Sequence, residues 1–203
     1  MTPHRSPVFW ATWVVAQIIF SFRFRVKVEG LHHLPAEGTA LLIPKHQQWW
    51  DVPLLGTFIP RSLHFLAKKE LFDHPLSRFY MRRMGGIAID RGNPLKSLPT
   101  FRSLFPLLEK QAFLVLFPEG TYFPGTLGPG KWRLIQMILR LQEKRGLTPI
   151  PFIPVGIRYG SHPSGRSKTV EIIIGPGLSE ANSQRAEDFT NELLTRVGVL
   201  SGL

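Results

Sequence analysis

Seven short apolar runs closed by turn residues, most of them separated by longer helical stretches, set the class of fold open to this chain. Phe24 to Val28, Thr39 to Ile43, Leu63 to Ala67, Gly86 to Ile89, Phe113 to Phe117, Pro149 to Tyr159 and Thr169 to Ile174 have the length and residue types of buried strands. Helical patterns occupy Pro53 to Ile59, Pro75 to Met84, Leu95 to Lys110, Lys131 to Arg145 and Gln184 to Val199. Strands alternating with helices predict an α/β layer architecture, with a largely buried mixed sheet flanked by helices. At 203 residues, with no internal repeat or low-complexity stretch, one folded domain is expected over residues 23–203.

Residues 1–22 read differently. From Pro7 to Phe22 the chain is almost uncharged and rich in Trp, Val, Ile and Phe, and Arg23, Arg25 and Lys27 follow at once. This run is shorter than the ~20 residues that span hydrocarbon comfortably. Ser21-Phe22-Arg23-Phe24-Arg25 makes a poor signal-peptide cleavage site. Trp10 and Trp13 with trailing cations predict a membrane-associated helical segment lying in the bilayer interface; the competing reading is a buried core helix.

The formal net charge of +11 calls for an anionic partner: nucleic acid, anionic lipid or a phosphorylated substrate. From Arg61 to Arg102 there are nine Lys/Arg against three acids, so the basic surface belongs to the folded body and not to a tail. Nucleic acid is disfavoured, because the aromatics sit within apolar runs and no recognised binding motif is present. The absence of cysteine excludes a thiol nucleophile, an iron–sulfur cluster and a zinc–thiolate site.

Four blocks carry chemistry. In Pro44-Lys45-His46-Gln47-Gln48-Trp49-Trp50-Asp51, a carboxylate on one ring nitrogen of His46 would orient the other to accept a hydroxyl proton. On a continuous helix His46 and Asp51 would lie roughly 140° apart. They meet only if a strand-to-helix turn folds the aspartate back, and the flanking Pro44 and Pro53 suit such a break. The two tryptophans beside them suit either a core plug or a membrane-facing lip. Gly85 to Gly92 ends a β-rich run in Asp90-Arg91-Gly92, where the Arg91 guanidinium could fork onto a phosphate or simply pair with Asp90. Phe117-Pro118-Glu119-Gly120-Thr121 closes another strand ahead of a Gly/Pro loop, with Lys131 opening a helix: an anion site or an ordinary connection. Pro151 to Gly156 puts prolines in a strand, which suits an edge or a bulge.

In this order and spacing the blocks resemble the glycerolipid acyltransferase family, best known from its lysophosphatidic acid (1-acylglycerol-3-phosphate) acyltransferases. The resemblance covers roughly residues 23–178 and includes Val28-Glu29-Gly30-Leu31. It implies acyl transfer from an acyl thioester, acyl-coenzyme A or acyl carrier protein, to a lysophospholipid hydroxyl, without a cofactor, a metal or an acyl-enzyme. His46 would be the general base and Asp51 its orienting partner. Arg91, Glu119, Gly120, Thr121 and Lys131 would hold the acceptor, and Pro154 would belong to the acyl-chain or donor region. The family likeness also implies attachment to an anionic membrane surface, on the cytoplasmic face of the inner membrane if the chain is bacterial.

Two positions depart from the family pattern. Lys45 stands where Asn is usual before the histidine, and Tyr122 stands where Glu-Gly-Thr is usually followed by Arg. Loss of a bidentate phosphate ligand costs a few kcal/mol of acceptor binding unless something such as Lys131 or Arg133 compensates. A different lysolipid acceptor is therefore one alternative, and a non-catalytic basic membrane-binding protein of the same fold is another.

Overall fold

In the computed structural model the described residues are 7–90, 104, 106–107, 112–161 and 168–203. Arg91 lies outside them, as does the helix expected over Leu95 to Lys110 apart from Leu104, Pro106 and Leu107.

The described elements run α1 (Pro7–Arg23), β1 (Phe24–Glu29), β2 (Ala40–Pro44), α2 (Asp51–Phe58), β3 (Leu63–Lys68), α3 (Pro75–Arg83), β4 (Gly86–Ile89), β5 (Phe113–Val115), α4 (Trp132–Arg145), β6 (Phe152–Ser161), β7 (Lys168–Ile174) and α5 (Ala186–Ser201). One seven-stranded sheet has the order β1-β7-β6-β2-β5-β3-β4. All neighbours pair in parallel except β6 and β7, which pair antiparallel, so the sheet is mixed as expected. Each expected strand is present, with ends displaced by at most a few residues.

Strand side chains alternate between two faces, and both faces are covered. Ala40 and Leu42 of β2, Val115 of β5 and Ile153, Val155 and Ile157 of β6 pack beneath Phe20 of α1 and Leu54 and Leu55 of α2. Leu41 and Ile43, Leu114 and Leu116, and Phe152 face the other way, against Ile135, Ile138 and Leu139 of α4 and Phe189, Leu193 and Val197 of α5. The uninterrupted apolar run Ala40 to Ile43 is thus what a strand covered on both sides requires.

Helix boundaries follow local chemistry. The turn before α2 accommodates Pro53 inside the first helical turn, where a missing N–H is harmless. Ile59, which precedes Pro60, is extended (φ −86°, ψ 121°) and stops the helix. At α3, His74 caps the start by accepting from the Leu76 N–H at 3.3 Å, and Pro75 takes the first position. Gly146 and Gly202, both left-handed, close α4 and α5.

Pro154 departs from the expectation of an edge or a bulge. It sits in β6, between β7 and β2, paired with Ile43. Its carbonyl accepts from Gly175 N at 2.9 Å, one residue past the last β6–β7 pair, Val155 with Ile174. A strand residue points its N and C=O to the same side, so the missing N–H falls where β7 has already ended.

The α1 segment is not a separate body. Phe20 is buried against Phe24 and Phe58, and Trp13 Nε1 donates to the Thr57 carbonyl at 3.2 Å. Nor is it a buried core helix, because Val14, Val15, Ile18, Ile19 and Phe22 are exposed along its outer side. No helix among the described residues is long and apolar enough to cross a membrane.

Gly30 makes the turn out of β1 with φ 77°, and a Cβ there would lie 2.0 Å from the Ile174 carbonyl oxygen, which also accepts from His33 Nδ1 at 2.8 Å. Gly38 has φ 90° but nothing within 4 Å of a built Cβ. Gly30→Ala should therefore lose about 1–3 kcal/mol. Its Tm, read by circular dichroism, should fall by several degrees more than that of Gly38→Ala. Equal losses would show that the contact at Ile174 is irrelevant and only backbone strain matters.

Candidate active site

Strand β2 delivers Lys45 and His46 to its C-terminal end, where the chain leaves the sheet and turns through Gln47 to Trp50 before α2 begins at Asp51. The turn does what the His–Asp spacing requires: His46 Nδ1 and Asp51 Oδ2 are 3.0 Å apart. Asp51 has no solvent exposure. Its Oδ2 also accepts from the Gln47 and Gln48 N–H groups at 2.6 and 2.7 Å, and its Oδ1 accepts from the Tyr159 hydroxyl. The carboxylate also lies in the first turn of α2, where the helix dipole favours negative charge.

These contacts fix the imidazole tautomer. Burial first, and the neighbouring Asp51 charge second, push the Tyr159 phenol well above its ordinary value, so the phenol keeps its proton and donates. Asp51 is then an acceptor on every side, and His46 must present Nδ1–H to it. In that tautomer Nε2 carries no proton. The ring is held from both sides, stacked on Phe117 at 3.9 Å and met edge-on by Tyr122 at 4.4 Å. His46 itself is 9% exposed.

Lys45 anchors the second layer. Its ammonium and the Glu119 carboxylate both have zero side-chain exposure and bond at 2.8 and 2.9 Å. Lys45 also donates to the Phe123 carbonyl at 2.8 Å and the His46 carbonyl at 3.2 Å. Glu119 accepts in addition from His46 N at 3.0 Å and Gly128 N at 2.7 Å, so each oxygen has two donors. A buried pair holds its place only when its remaining hydrogen-bonding capacity is met in this way. The pair ties the loop after β5 to the main chain of the histidine block. Gln47 adds a second tie, donating to the Ile157 carbonyl at 2.6 Å and accepting from Gly125 N at 3.0 Å.

Of the acceptor-holding residues expected from sequence, Glu119 faces inward onto Lys45 and is 1% exposed. Gly120 is buried with φ 74° at the turn, whereas Thr121 and Lys131 are exposed. Lys131 N donates to the Pro118 carbonyl at 2.8 Å, which closes the loop beside the Glu119 block. Pro154 is buried in β6, away from any exposed surface. The tryptophans divide their roles: Trp50 packs edge-on to Phe24 at 5.7 Å, and Trp49 is 63% exposed at the lip.

Sequence reasoning missed Tyr159 and assigned no role to Lys45. Tyr159 follows Ile153, Val155 and Ile157 in strand alternation, which places it on the same face as Phe117. That parity was the available signal. Lys45 offered none, since its partner is 74 residues away.

Lys45→Met should destabilise by about 3–5 kcal/mol, because it leaves the Glu119 charge buried and unpaired. Lys45→Met/Glu119→Gln should recover part of that loss, as read from urea denaturation midpoints at constant slope. A loss below about 1 kcal/mol for the single variant would mean the pair is not desolvated in solution.

Comparison with known proteins places this geometry. The sequence model of the acyltransferase family matches residues 25–158. A Bacillus subtilis 1-acyl-sn-glycerol-3-phosphate acyltransferase is 32% identical over 106 residues, 52% of this chain and 52% of that protein. A Pseudomonas aeruginosa enzyme of the same name is 29% identical over 205 residues, 93% of this chain and 74% of that protein. The match thus spans about half the length of the first relative and about three quarters of the second. The crystal structure of the 1-acyl-sn-glycerophosphate acyltransferase PlsC from Thermotoga maritima superposes with a TM-score of 0.68 at 22% identity, covering 96% of this chain and 80% of that one. That likeness shows the fold. With the sequence match extending across most of the sheet and both ends of the histidine site, the chain belongs to the acyltransferase family.

Proposed function

We propose that the protein transfers a fatty acyl chain from an acyl thioester to the free hydroxyl of a lysophospholipid, with His46 as the general base. The observation that carries this reading is the orientation of His46, whose Nδ1 faces Asp51 at 3.0 Å and so leaves Nε2 for the acceptor hydroxyl. In the reaction the acceptor hydroxyl gives its proton to Nε2 as its oxygen bonds to the thioester carbonyl carbon. The tetrahedral adduct then collapses, the carbon–sulfur bond breaks, and the proton on the imidazolium passes to the departing thiolate. A thiolate is a good leaving group, so holding hydroxyl and base together supplies much of the rate enhancement.

The acceptor we favour is 1-acylglycerol-3-phosphate, giving phosphatidic acid. The names of the relatives and the exposed Lys131 and Arg133 beside the loop support it. Glu119 acts as a positioning residue rather than a ligand of the acceptor, since its oxygens are already occupied. The second reading, a different lysolipid, draws on Tyr122: its half-exposed ring lies against His46, at the position after Glu-Gly-Thr where family members usually carry arginine. The donor is acyl-coenzyme A or acyl carrier protein. Substrates of this kind reside in bilayers, and the exposed apolar side of α1 supports docking at an anionic membrane surface.

The test is acyl transfer from a radiolabelled thioester to a panel of lysolipids of different headgroup charge. His46→Ala should abolish transfer to every acceptor; transfer that survives would remove His46 from the mechanism. Product from lysophosphatidic acid is expected, whereas product only from another headgroup would keep the chemistry and replace the acceptor.

Tyr159→Phe should lower kcat by about 10–100-fold, the worth of one hydrogen bond to a charged group if it is expressed in the transition state. Without the phenol donor, Asp51 is held less firmly and the imidazole it orients loses its alignment. The KM for the acceptor should not change. An unchanged kcat, or a loss confined to KM, would contradict a positioning role for Tyr159.

A further inference from the structure

Helix α3 is anomalous for a helix of a folded domain, because none of its residues is buried. Leu76 is 73% exposed, Phe79 50% and Tyr80 44%, and Leu71 in the preceding turn is 49% exposed. Leu76, Phe79, Tyr80 and Arg83 follow helical spacing and share one side of α3. The Arg83 guanidinium lies over the Phe79 ring, 4.7 Å from its centroid, so the apolar stripe ends in a cation that shields an aromatic face. Arg82, also exposed, adds charge to the same last turn.

This side is presented by a braced segment. Arg78 Nε donates to the Phe72 carbonyl at 2.7 Å and its Nη2 to the Asp73 carbonyl at 3.2 Å, while Phe72 itself is buried beneath the turn. From Lys68 to Arg83 the chain carries five cations (Lys68, Lys69, Arg78, Arg82, Arg83) against Glu70 and Asp73, with Lys69 paired to Asp90 at 2.6 Å. The α3 helix also touches α1, whose outer side exposes Val14, Val15, Ile18, Ile19 and Phe22. Two helices in contact therefore show water a stripe of aliphatic and aromatic side chains bordered by cations. An aqueous surface does not reward that composition, whereas an interfacial helix requires it.

We propose that α3 and the turn before it form a second bilayer-docking surface, continuous with α1 and built for an anionic phospholipid leaflet. The cations select the occupant: Arg82 and Arg83 stand at headgroup level when Leu76 and Phe79 enter the acyl boundary, and each basic side chain near an anionic leaflet adds about 1 kcal/mol of attraction. Two contacts at different points on the domain fix its tilt on the membrane, which a single amphipathic helix does not. This inference rests on the membrane reading of α1 given above, and its test separates the two.

The chain has no cysteine, so a single introduced thiol carries an environment-sensitive fluorophore without background labelling. The full-length variants are Ile18→Cys on α1, Leu76→Cys on α3 and Lys144→Cys on α4 at the opposite face of the sheet, each mixed with phosphatidylglycerol/phosphatidylcholine vesicles. Blue-shifted emission and quenching by lipid-borne nitroxide are expected at 18 and 76 and not at 144, with both signals at 76 reduced in vesicles of phosphatidylcholine alone. A buried label at 18 with an aqueous label at 76 would overturn the α3 surface and leave α1 docking intact. Aqueous labels at both positions would overturn the two together. A blue shift at 76 that grows with protein concentration in the absence of vesicles would assign the surface to a second copy of the chain instead. In a parallel measurement, Leu76→Glu/Phe79→Glu should weaken vesicle partitioning at least about tenfold, equivalent to about 1.4 kcal/mol. Transfer to a lysolipid presented in detergent micelles should be unchanged; unaltered vesicle partitioning would count against the proposal.

Discussion

The Asp51 carboxylate is the junction on which the site depends. It is fully buried, yet it accepts from His46, from the main chain of Gln47 and Gln48, and from the Tyr159 hydroxyl. An ionised carboxylate withdrawn from water persists only when its lone pairs are met, and here the turn, the strand β6 and the histidine each supply a donor. The turn cannot relax into helix without giving up two main-chain bonds to Asp51. Conversely, without that turn the aspartate would project roughly 140° away from the imidazole. Local backbone geometry and side-chain chemistry are thus one constraint at this point of the chain.

The sheet supplies rigidity at a distance. Parallel β2 and β5 end side by side, so the histidine block and the Glu119 block emerge together, and the Lys45–Glu119 pair locks their loops in register. The pair lies behind the histidine, and Tyr122 and Phe117 pack the imidazole from the other sides. The lysine that departs from the usual family residue thus has a structural partner of its own. It provides the countercharge that the Glu119 carboxylate needs in a dry interior.

Much of this was legible in the residues. Apolar runs bounded by Gly and Pro marked the strands, because a strand covered on both faces has no reason to alternate, and Ala40 to Ile43 shows that pattern directly. His46 and Asp51 could be paired because the separation was short and the flanking Pro44 and Pro53 signalled a break. Contacts distant in sequence were not legible. Tyr159 stands 108 residues from Asp51, and its role depends on which strands become neighbours, which composition does not encode. Pro154 shows the opposite failure: a local rule pointed to an edge, but β7 stops one residue short and removes the need for the missing N–H. The hydrophobicity of the N-terminal run alone could not say that Phe20 would point inward and Ile18 outward.

The most direct test of the account is the tautomer of the neutral His46 ring, read from side-chain ¹⁵N chemical shifts by long-range ¹H–¹⁵N NMR on the basic side of its titration. The geometry predicts a protonated Nδ1 facing Asp51 and an unprotonated Nε2, with the Nδ1 proton signal shifted downfield by its hydrogen bond to the carboxylate. An Nε2–H tautomer would contradict it, since the nitrogen turned away from Asp51 would then be unable to take a proton from an acceptor hydroxyl.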